Sequence, residues 1–298
     1  MEQAVRTQDG AVSDFEYRQD KDEIWTPAVQ VVHRDEEYYQ ADHQLLLKMQ
    51  EDHFWYRGRH RFLAAALRQC LRRVSRADGQ LRAIDLGGGC GGWIRYLKEN
   101  SVAAFTELAL ADSSRSALQM AAPVIGSDVG RYQVDLLNLG WQARWDVIFA
   151  LDVLEHLPHP EAALVQIRRA LAPGGFAFIS LPALQFFWSY YDELAGHQRR
   201  YSRRDLTALA GESGLHLLTA RYFMFFLSPL VLLSRLRRPK LARMSPGEIH
   251  ALFERVHRIP FAPLNRILSI VFAAETPLGL HLPFPWGTSL LGVCRNDR

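Results

Sequence analysis

A cluster of glycines behind an acid is the part of this 298-residue chain best suited to holding a ligand. The segment reads DLGGGCGG from Asp85 to Gly92. Glycines at a strand-to-helix turn let the backbone approach a ligand closely, and the helix that follows offers free N–H groups at its positive end. Spaced as G-x-G-x-x-G through Gly87, Gly89 and Gly92, the same turn could also cradle a dinucleotide pyrophosphate. The pattern predicts a cofactor site and leaves the cofactor open.

Acids at the ends of three predicted strands bear on which cofactor is bound. Asp85 could hold the ammonium group of a cationic amino-acid ligand, but it would repel a pyrophosphate. Asp112 could accept hydrogen bonds from both hydroxyls of a ribose, which either cofactor carries. Asp135 could accept a hydrogen bond from an adenine amino group. Each of the last two could equally form a turn or begin a helix.

Two histidines are candidates for the group that removes a proton from an acceptor, because imidazole titrates in the useful range. His156 follows the fourth predicted strand, at the sheet edge where ligands bind. His197 follows the fifth, beside aromatic residues of which Trp188 and Tyr191 could form an acceptor pocket. Each has a structural alternative. His156 could hydrogen-bond the backbone of a turn, His197 could lie in a surface loop, and the aromatic residues could belong to a lid or to the core. Glu155 and His156 could also hold a divalent metal, but two adjacent residues are a poor ligand set, so no metal is predicted.

Strands and helices alternate through the middle of the chain. Such alternation predicts an α/β fold with a parallel sheet covered on both faces. The fourth strand, DVIFAL, is continuously apolar, as a strand buried on both faces should be. Strands are predicted at 81–86, 107–111, 131–134, 146–151, 176–181, 215–222 and 288–294, with helices at 91–99, 114–122, 161–171 and 202–213.

The same pattern divides the chain into five segments. Residues 1–24 are polar and predict a flexible tail. A helical cap, the cofactor-binding core, a helical insertion and a final core strand follow, at 25–79, 80–222, 223–285 and 286–298. The insertion is apolar at 222–233, a stretch that contains Pro229 and is too short to cross a bilayer.

Four motifs between about residues 81 and 181 resemble those of the class I S-adenosylmethionine-dependent methyltransferases. They are DLGGGCGG, ALADSS ending near Asp112, the segment FALDVLEHL, and LAPGGF before the fifth strand. The resemblance implies a Rossmann-like, doubly wound, seven-stranded and mostly parallel sheet with a final antiparallel strand. It also implies S-adenosylmethionine as the cofactor, with Asp112 on its ribose and Asp135 on its adenine side. The cofactor-binding residues it implies in the core are Asp85, Gly87, Gly89, Gly91, Asp112, Ser113, Asp135, Leu136 and Asp152.

The flanking segments HFWYRGRHRFL, GHQRRYS and PWGTSL resemble bacterial members of this superfamily. These members include ubiquinone-pathway O-methyltransferases and enzymes of secondary-metabolite and glycolipid pathways. The resemblance implies that Tyr56 and Arg57 lie over the methionine end of the cofactor, and that Tyr201 belongs to the substrate site. It does not name one acceptor.

The sequence therefore predicts a methyltransferase for a small-molecule or lipid-like acceptor, most simply a biosynthetic O-methyltransferase. Two alternatives stay open. One is an NAD(P)-dependent oxidoreductase, which the glycine spacing and Asp112 would also suit. The other is a non-catalytic partner subunit with the same fold.

Composition and charge bear on the cellular compartment of the protein and on its binding partners. The formal net charge of +3 comes from 35 basic and 32 acidic residues, so no nucleic-acid partner is predicted. Three widely spaced cysteines and the absence of a signal peptide predict a cytoplasmic protein.

The apolar stretch at 222–233 is followed by a run of cations, as in an interfacial helix: Arg235, Arg237, Arg238, Lys240 and Arg243. The segment 222–243 is therefore a candidate lid, peripheral membrane contact or homodimer interface.

Overall fold

The computed structural model describes residues 16–29, 31, 43–72, 81–235 and 239–298. Within them, nine strands form one sheet in the order β1-β2-β5-β4-β3-β6-β7-β9-β8. The strands are β1 Tyr17–Gln19, β2 Ile24–Pro27, β3 Arg82–Leu86, β4 Glu107–Asp112, β5 Gly130–Gln133, β6 Trp145–Leu151, β7 Leu171–Pro182, β8 His216–Phe223 and β9 Ser289–Arg295. Residues 1–15 of the predicted tail, parts of the predicted cap, and Arg237 and Arg238 lie outside the described residues.

The middle of the sheet confirms the predicted fold class. Strands β5, β4, β3, β6 and β7 are parallel, and β9 runs antiparallel between β7 and β8. These seven strands are the predicted sheet, and their bounds differ from the predicted ones by a few residues at most. The exception is β7, which begins at Leu171 and includes the Pro-Gly-Gly turn predicted to precede it.

The sheet is two strands larger than predicted, because a short hairpin extends its edge. Strand β2 pairs in parallel with β5, placing Ile24 opposite Arg131. Arg115 forms ion pairs with Asp20 and Asp22 of the hairpin turn. Residues 17–24 are thus part of a strand pair on the sheet edge, and Ile24 is buried in the core. Strands of three and four residues are too short to show the alternation from which a strand is predicted.

Ten helices lie among the described residues, and they cover both faces of the sheet. They are α1 His43–Asp52, α2 Phe54–Leu71, α3 Gly92–Glu99, α4 Arg115–Ile125, α5 Pro160–Ala170, α6 Tyr190–Leu194, α7 Arg203–Ser213, α8 Ser228–Ser234, α9 Pro246–Val256 and α10 Ala262–His281. Strand β6 is buried throughout, with Val147 and Phe149 in the cluster beneath α2 and α3, and Ile148 and Ala150 in the cluster beneath α5 and α7. Two such faces explain its unbroken apolar run.

The insertion packs against the cap. A Cβ on Gly58 of α2 would lie 2.0 Å from the Phe272 ring of α10, so the two helices touch closely where glycine leaves room. Phe62 of α2 stacks on Phe223 with ring centroids 4.8 Å apart. The cap and the insertion therefore share one apolar cluster with the core. In the chain described here, every helix is too short or too polar to span a bilayer.

Candidate functional site

A cavity of about 570 Å³ opens at the carboxyl ends of β3, β6 and β7. This is the edge of a parallel sheet at which ligands bind. Its wall is built from four parts of the chain: the cap helices α1 and α2, the glycine turn after β3, the loops after β6 and β7, and helices α8 and α9 of the insertion. The site therefore depends on segments far apart in sequence.

The glycine turn has the conformation that its sequence requires. Gly87, Gly89 and Gly91 have φ of 72°, 56° and 80°, in the left-handed region that favours glycine. The Asp112 carboxylate holds the turn in place, because its Oδ2 accepts a 2.8 Å hydrogen bond from the Gly89 N–H. Its Oδ1 accepts another of 2.8 Å from Ser114 N, just before α4. Asp112, the last residue of β4, thus connects the end of that strand to the glycine turn that follows β3.

Asp85 lies beneath this turn and is almost fully buried. Burial raises its pKa to about 8; the charge of Arg59 lowers it in part, and that of Asp112 adds to the rise. Its Oδ1 has no hydrogen-bond partner among the described residues. A buried carboxyl oxygen without a donor is unfavourable, so a ligand with an ammonium or another donor would be stabilised here.

The cap contributes Arg59 to the cavity. Its guanidinium binds the Asp152 carboxylate and lies 4.9 Å from the ring centroid of Trp55 and 5.1 Å from that of Tyr56. Of the two residues expected over the methionine end of the cofactor, Tyr56 lines the cavity, whereas Arg57 is exposed and does not line it. The reason is helix geometry: positions three apart share a face, and adjacent positions do not. Only His53 separates α1 from α2, which begins at the next residue.

The loops after β6 and β7 bring Glu155, His156 and His197 together. Glu155 and His156 lie in a short 3₁₀ turn, Leu154–His156, and Glu155 is fully buried. Nε2 of His197 lies 3.8 Å from Oε1 of Glu155, and the two imidazole ring centroids are 4.9 Å apart. The cluster forms one wall of the cavity. Both histidines predicted as catalytic are therefore side by side.

The electrostatics of this cluster are dominated by burial. Burial raises the pKa of Glu155 well above its usual range, and the neighbouring Asp152 charge adds to the rise. Burial, and to a smaller extent the charge of His197, lower the pKa of His156 to about 3. A hydrogen bond with the Gly196 backbone raises that pKa in part. Both effects favour the neutral form of the side chain.

Asp192 fixes the orientation of His197. Its Oδ1 lies 3.0 Å from Nδ1 of His197 and 2.7 Å from Nε of Arg200. Burial would raise the pKa of Asp192, but hydrogen bonds and charges from His197, Arg200 and Arg235 lower it to about 2. An ionised Asp192 therefore holds His197 at Nδ1 and leaves Nε2 directed towards Glu155.

The predicted substrate residues separate in the fold. Tyr191 lines the cavity, whereas Trp188 and Tyr201 are outside its lining. Tyr201 is buried and donates a 3.2 Å hydrogen bond from its hydroxyl to the Leu154 carbonyl, so it supports the 3₁₀ turn from behind.

Four predicted cofactor residues also lie outside the lining of this cavity: Gly91, Ser113, Asp135 and Leu136. Asp112 lies outside it as well, and its carboxylate accepts the hydrogen bond from Gly89 N, which lines the cavity. Oδ1 of Asp135 accepts a 2.9 Å hydrogen bond from Leu137 N, which is the turn-forming alternative considered above. The members that the cavity brings together are Tyr56, Asp85, Gly87, Gly89, Asp152, His156, Tyr191 and His197.

Sequence reasoning missed several cavity residues: Gln50, Arg59, Asp192, Arg200 and Arg235. Gln50 accepts a 3.1 Å hydrogen bond from Gly92 N at the start of α3. A helical face running from Tyr56 to Arg59 was the available signal for the arginine. The acid in YYDEL, close before the basic GHQRR, was the signal for the Asp192–Arg200 pair. Nothing in the sequence placed Gln50 in the cavity, and the sequence marks Arg235 only as one of the cations in the candidate lid or membrane contact at 222–243.

A family model described as a methyltransferase domain matches residues 54–220, more than half of the chain. The chain belongs to this methyltransferase family. It is an S-adenosylmethionine-dependent methyltransferase, and S-adenosylmethionine is its cofactor. The family membership confirms the resemblance and excludes the nicotinamide-dependent alternative.

Solved structures of other methyltransferases share the fold of this one. A chain from the complex between the Haloferax volcanii Trm112 methyltransferase activator and a methyltransferase is 17% identical, with a TM-score of 0.55, over 90% of this chain and 98% of that one. A protein of Galdieria sulphuraria assigned as a sarcosine dimethylglycine methyltransferase is 16% identical, with a TM-score of 0.51, over 80% and 86%. A Bacillus halodurans methyltransferase is 14% identical, with a TM-score of 0.50, over 78% and 98%. Among curated proteins, none matches this chain.

The cavity fits this cofactor on two observations. The unpartnered Oδ1 of Asp85 is suited to the ammonium of the methionine part. The backbone at Gly89 is open, because the nearest atom to a Cβ built there is Cδ2 of Leu46, 3.7 Å away. A ligand can therefore approach the turn closely.

Proposed function

We propose that this methyltransferase alkylates a hydroxyl oxygen of an apolar small-molecule or lipid-like acceptor. The observation that supports the proposal is the continuity of the cavity. It runs from the glycine turn to the Glu155–His156–His197 cluster, and aromatic and apolar side chains line it together with charged ones. Such a cavity can hold donor and acceptor next to each other, and alignment supplies much of the rate of methyl transfer.

The residues proposed to hold the cofactor follow the motifs. Asp85 would bind the ammonium group, the backbone at Gly87 and Gly89 would face the ligand, and Asp112 would take the ribose hydroxyls. Asp135 would serve the adenine side. The bound cofactor supplies an activated methyl group on a sulfonium. Tyr56 and Asp152 line the cavity beside it, and Gly91, Ser113 and Leu136 complete the proposed set.

An oxygen acceptor must lose its proton, and the two histidines are the proposed site of that loss. His197 is held at Nδ1 by Asp192, so Nε2 is the nitrogen available on the cavity side. His156 lies at the same wall, but its pKa of about 3 makes it a weak base, so His197 is the favoured candidate. A neutral imidazole beside the acceptor hydroxyl is the arrangement that general-base catalysis requires.

We propose that the insertion is a lid on this cavity. Val231, Arg235, Val256 and Pro260 come from the insertion and line the cavity. The outer side of α8 leaves Leu230 and Leu233 53% and 62% exposed. An apolar acceptor could enter past such a surface. The same surface is the candidate for contact of 222–243 with a membrane or with a second copy of the chain.

The test uses a donor carrying a ¹³C-methyl group and three acceptors with the same alkyl chain: a phenol, an aliphatic alcohol and an amine. We expect label on the oxygen of the phenol or the alcohol, found by mass spectrometry. His197→Ala should reduce the rate by about 10²-fold or more, as for loss of a general base. His159→Ala is the matched control, because His159 is exposed nearby. Label on the amine alone, or an unchanged rate in His197→Ala, would contradict the proposal.

A further inference from the structure

Glu155, His156 and His197 form a group with the geometry of a metal-binding site. Each offers one ligand atom, and these atoms all lie within 4.8 Å of one another. The sequence alone offered only Glu155 and His156, which are adjacent. The fold supplies the third member from the loop after β7.

The group contains unsatisfied polar atoms that point to a missing partner. Glu155 is fully buried, and neither of its carboxylate oxygens accepts a hydrogen bond from another described residue. Nδ1 of His156 is also buried and has no partner among the residues described. Burying such atoms without a partner costs free energy. One cation between the three side chains would satisfy all of them at once.

The surroundings have the second layer of contacts that metal sites use. The far nitrogen of His197, Nδ1, is held by Asp192, which leaves Nε2 as the ligand atom. Asp192 is fixed in turn by Arg200 at 2.7 Å and by the Ser189 backbone N–H at 2.8 Å. A carboxylate bonded to a ligating histidine orients the ring and raises its basicity.

Nearby arginines do not occupy the position between the ligands. Arg59 is bound to Asp152, and Arg200 is bound to Asp192 and to the Ala183 carbonyl. Each positive charge is therefore directed to a carboxylate other than that of Glu155. Among the described residues, only His197 brings a potential cation within ion-pair distance of the Glu155 carboxylate.

We propose that Glu155, His156 and His197 bind one divalent first-row transition ion. Two imidazole nitrogens and one carboxylate suit zinc, manganese or iron better than calcium or magnesium, which prefer oxygen ligands. Three protein ligands would leave at least one coordination position open, and all three side chains line the cavity. The site is separate from the residues proposed for the cofactor.

The chemical role of the ion rests on the proposed function. An acceptor hydroxyl bound at the open position loses its proton to water more readily, because the ion stabilises the alkoxide or phenoxide. The O–CH₃ bond then forms as the S–CH₃ bond breaks, and the electron pair of that bond stays on sulfur. In this arrangement the ion replaces a histidine as the group that activates the oxygen.

The test is a titration of the untagged full-length chain with Co²⁺ after removal of metals by a chelator. We expect visible absorption bands of nitrogen-coordinated cobalt that saturate at one ion per chain. Glu155→Gln and His197→Gln should each weaken binding tenfold or more, and Asp192→Asn by about 10- to 100-fold. His159→Gln should bind as the wild type does. Circular dichroism and S-adenosylhomocysteine binding identify variants that have lost their fold.

Two results would overturn the metal site. One is wild-type protein that binds S-adenosylhomocysteine but gives no cobalt spectrum. The other is equal cobalt affinity in the wild type, Glu155→Gln and His197→Gln. Methyl transfer that proceeds at full rate in a chelator, with no bound ion, would overturn the role of the ion and leave the proposed O-methylation intact.

Discussion

The guanidinium of Arg59 binds the carboxylate of Asp152 inside the cavity, and this contact joins the cap to the core. Arg59 belongs to α2, and Asp152 directly follows β6. Their side chains are 7% and 21% exposed, so the pair is largely removed from water. Asp152 has a positive φ of 58°, which is uncommon for a residue other than glycine. A backbone conformation of this kind persists when surrounding contacts hold it in place.

Removing Arg59 should therefore destabilise the protein. In Arg59→Met the Asp152 carboxylate would remain partly buried without its partner, and we expect the free energy of unfolding to fall by about 2–3 kcal/mol. Urea denaturation followed by circular dichroism measures this. Arg57→Met is the matched control, since Arg57 is exposed on the same helix, and it should change stability by less than about 0.5 kcal/mol. Equal effects in the two variants would contradict the importance of the pair.

Arg235 should hold the insertion closed over the cavity. Its Nη1 donates a 2.6 Å hydrogen bond to the Phe187 carbonyl, and its guanidinium carbon lies 5.2 Å from the ring centroid of Tyr191. In Arg235→Met we expect faster hydrogen exchange in α8 and α9, with S-adenosylhomocysteine affinity within about twofold of the wild type. Arg243→Met removes an exposed arginine of the same insertion and should leave exchange unchanged. Unchanged exchange in Arg235→Met would show that other contacts hold the lid.

The buried His60 should make the protein less stable in mild acid. Burial, and then the charges of Arg59 and Arg95, lower the pKa of His60 well below its usual 6.5. Below about pH 6.5 the unfolded chain therefore binds a proton that the folded chain does not. Stability is fully present above that pH and falls as the pH decreases, with a slope that approaches about 1.4 kcal/mol per pH unit well below pH 6.5 for this one histidine.

The measurement compares urea denaturation of the wild type and His60→Phe at several pH values between 6.5 and 5. The variant should show the shallower loss, by about 1 kcal/mol per pH unit on average over this range, because it lacks one proton-binding group. Other histidines contribute to both proteins alike. His250→Gln, at an exposed position on α9, should keep the wild-type slope. Identical slopes in the wild type and His60→Phe would mean that His60 does not titrate in this way.

Buried strands and glycine-rich turns made most of the core predictable from the sequence. A strand such as β6 must be apolar on both faces, and glycine or proline marks its neighbouring turns, so both signals are local. The hairpin β1–β2 carries neither signal. Its position depends on Arg115 and Arg131, which lie about a hundred residues further along the chain.

The candidate site was predictable where its residues are local and not where the fold assembles it. Asp85 and the glycines are one continuous motif, so their grouping was clear. Arg57 was predicted where Arg59 is found, because the prediction did not consider that Tyr56 and Arg59, three residues apart, share one face of α2. His197 reaches Glu155 only through the loop after β7, and pairing of that kind leaves no trace in sequence spacing.

Calorimetric titration of S-adenosylhomocysteine into the wild type, Asp112→Asn and Asp112→Ala measures whether the glycine turn and its anchor bind the cofactor. Asp112 holds the Gly89 N–H and is proposed to take the ribose hydroxyls, so its loss removes both the turn's anchor and a ligand contact. We expect micromolar binding to the wild type, weaker binding to Asp112→Asn, and at least about a tenfold loss in Asp112→Ala, equivalent to 1.4 kcal/mol. A folded wild-type chain that does not bind, or equal binding by all three proteins, would contradict the proposed cofactor site.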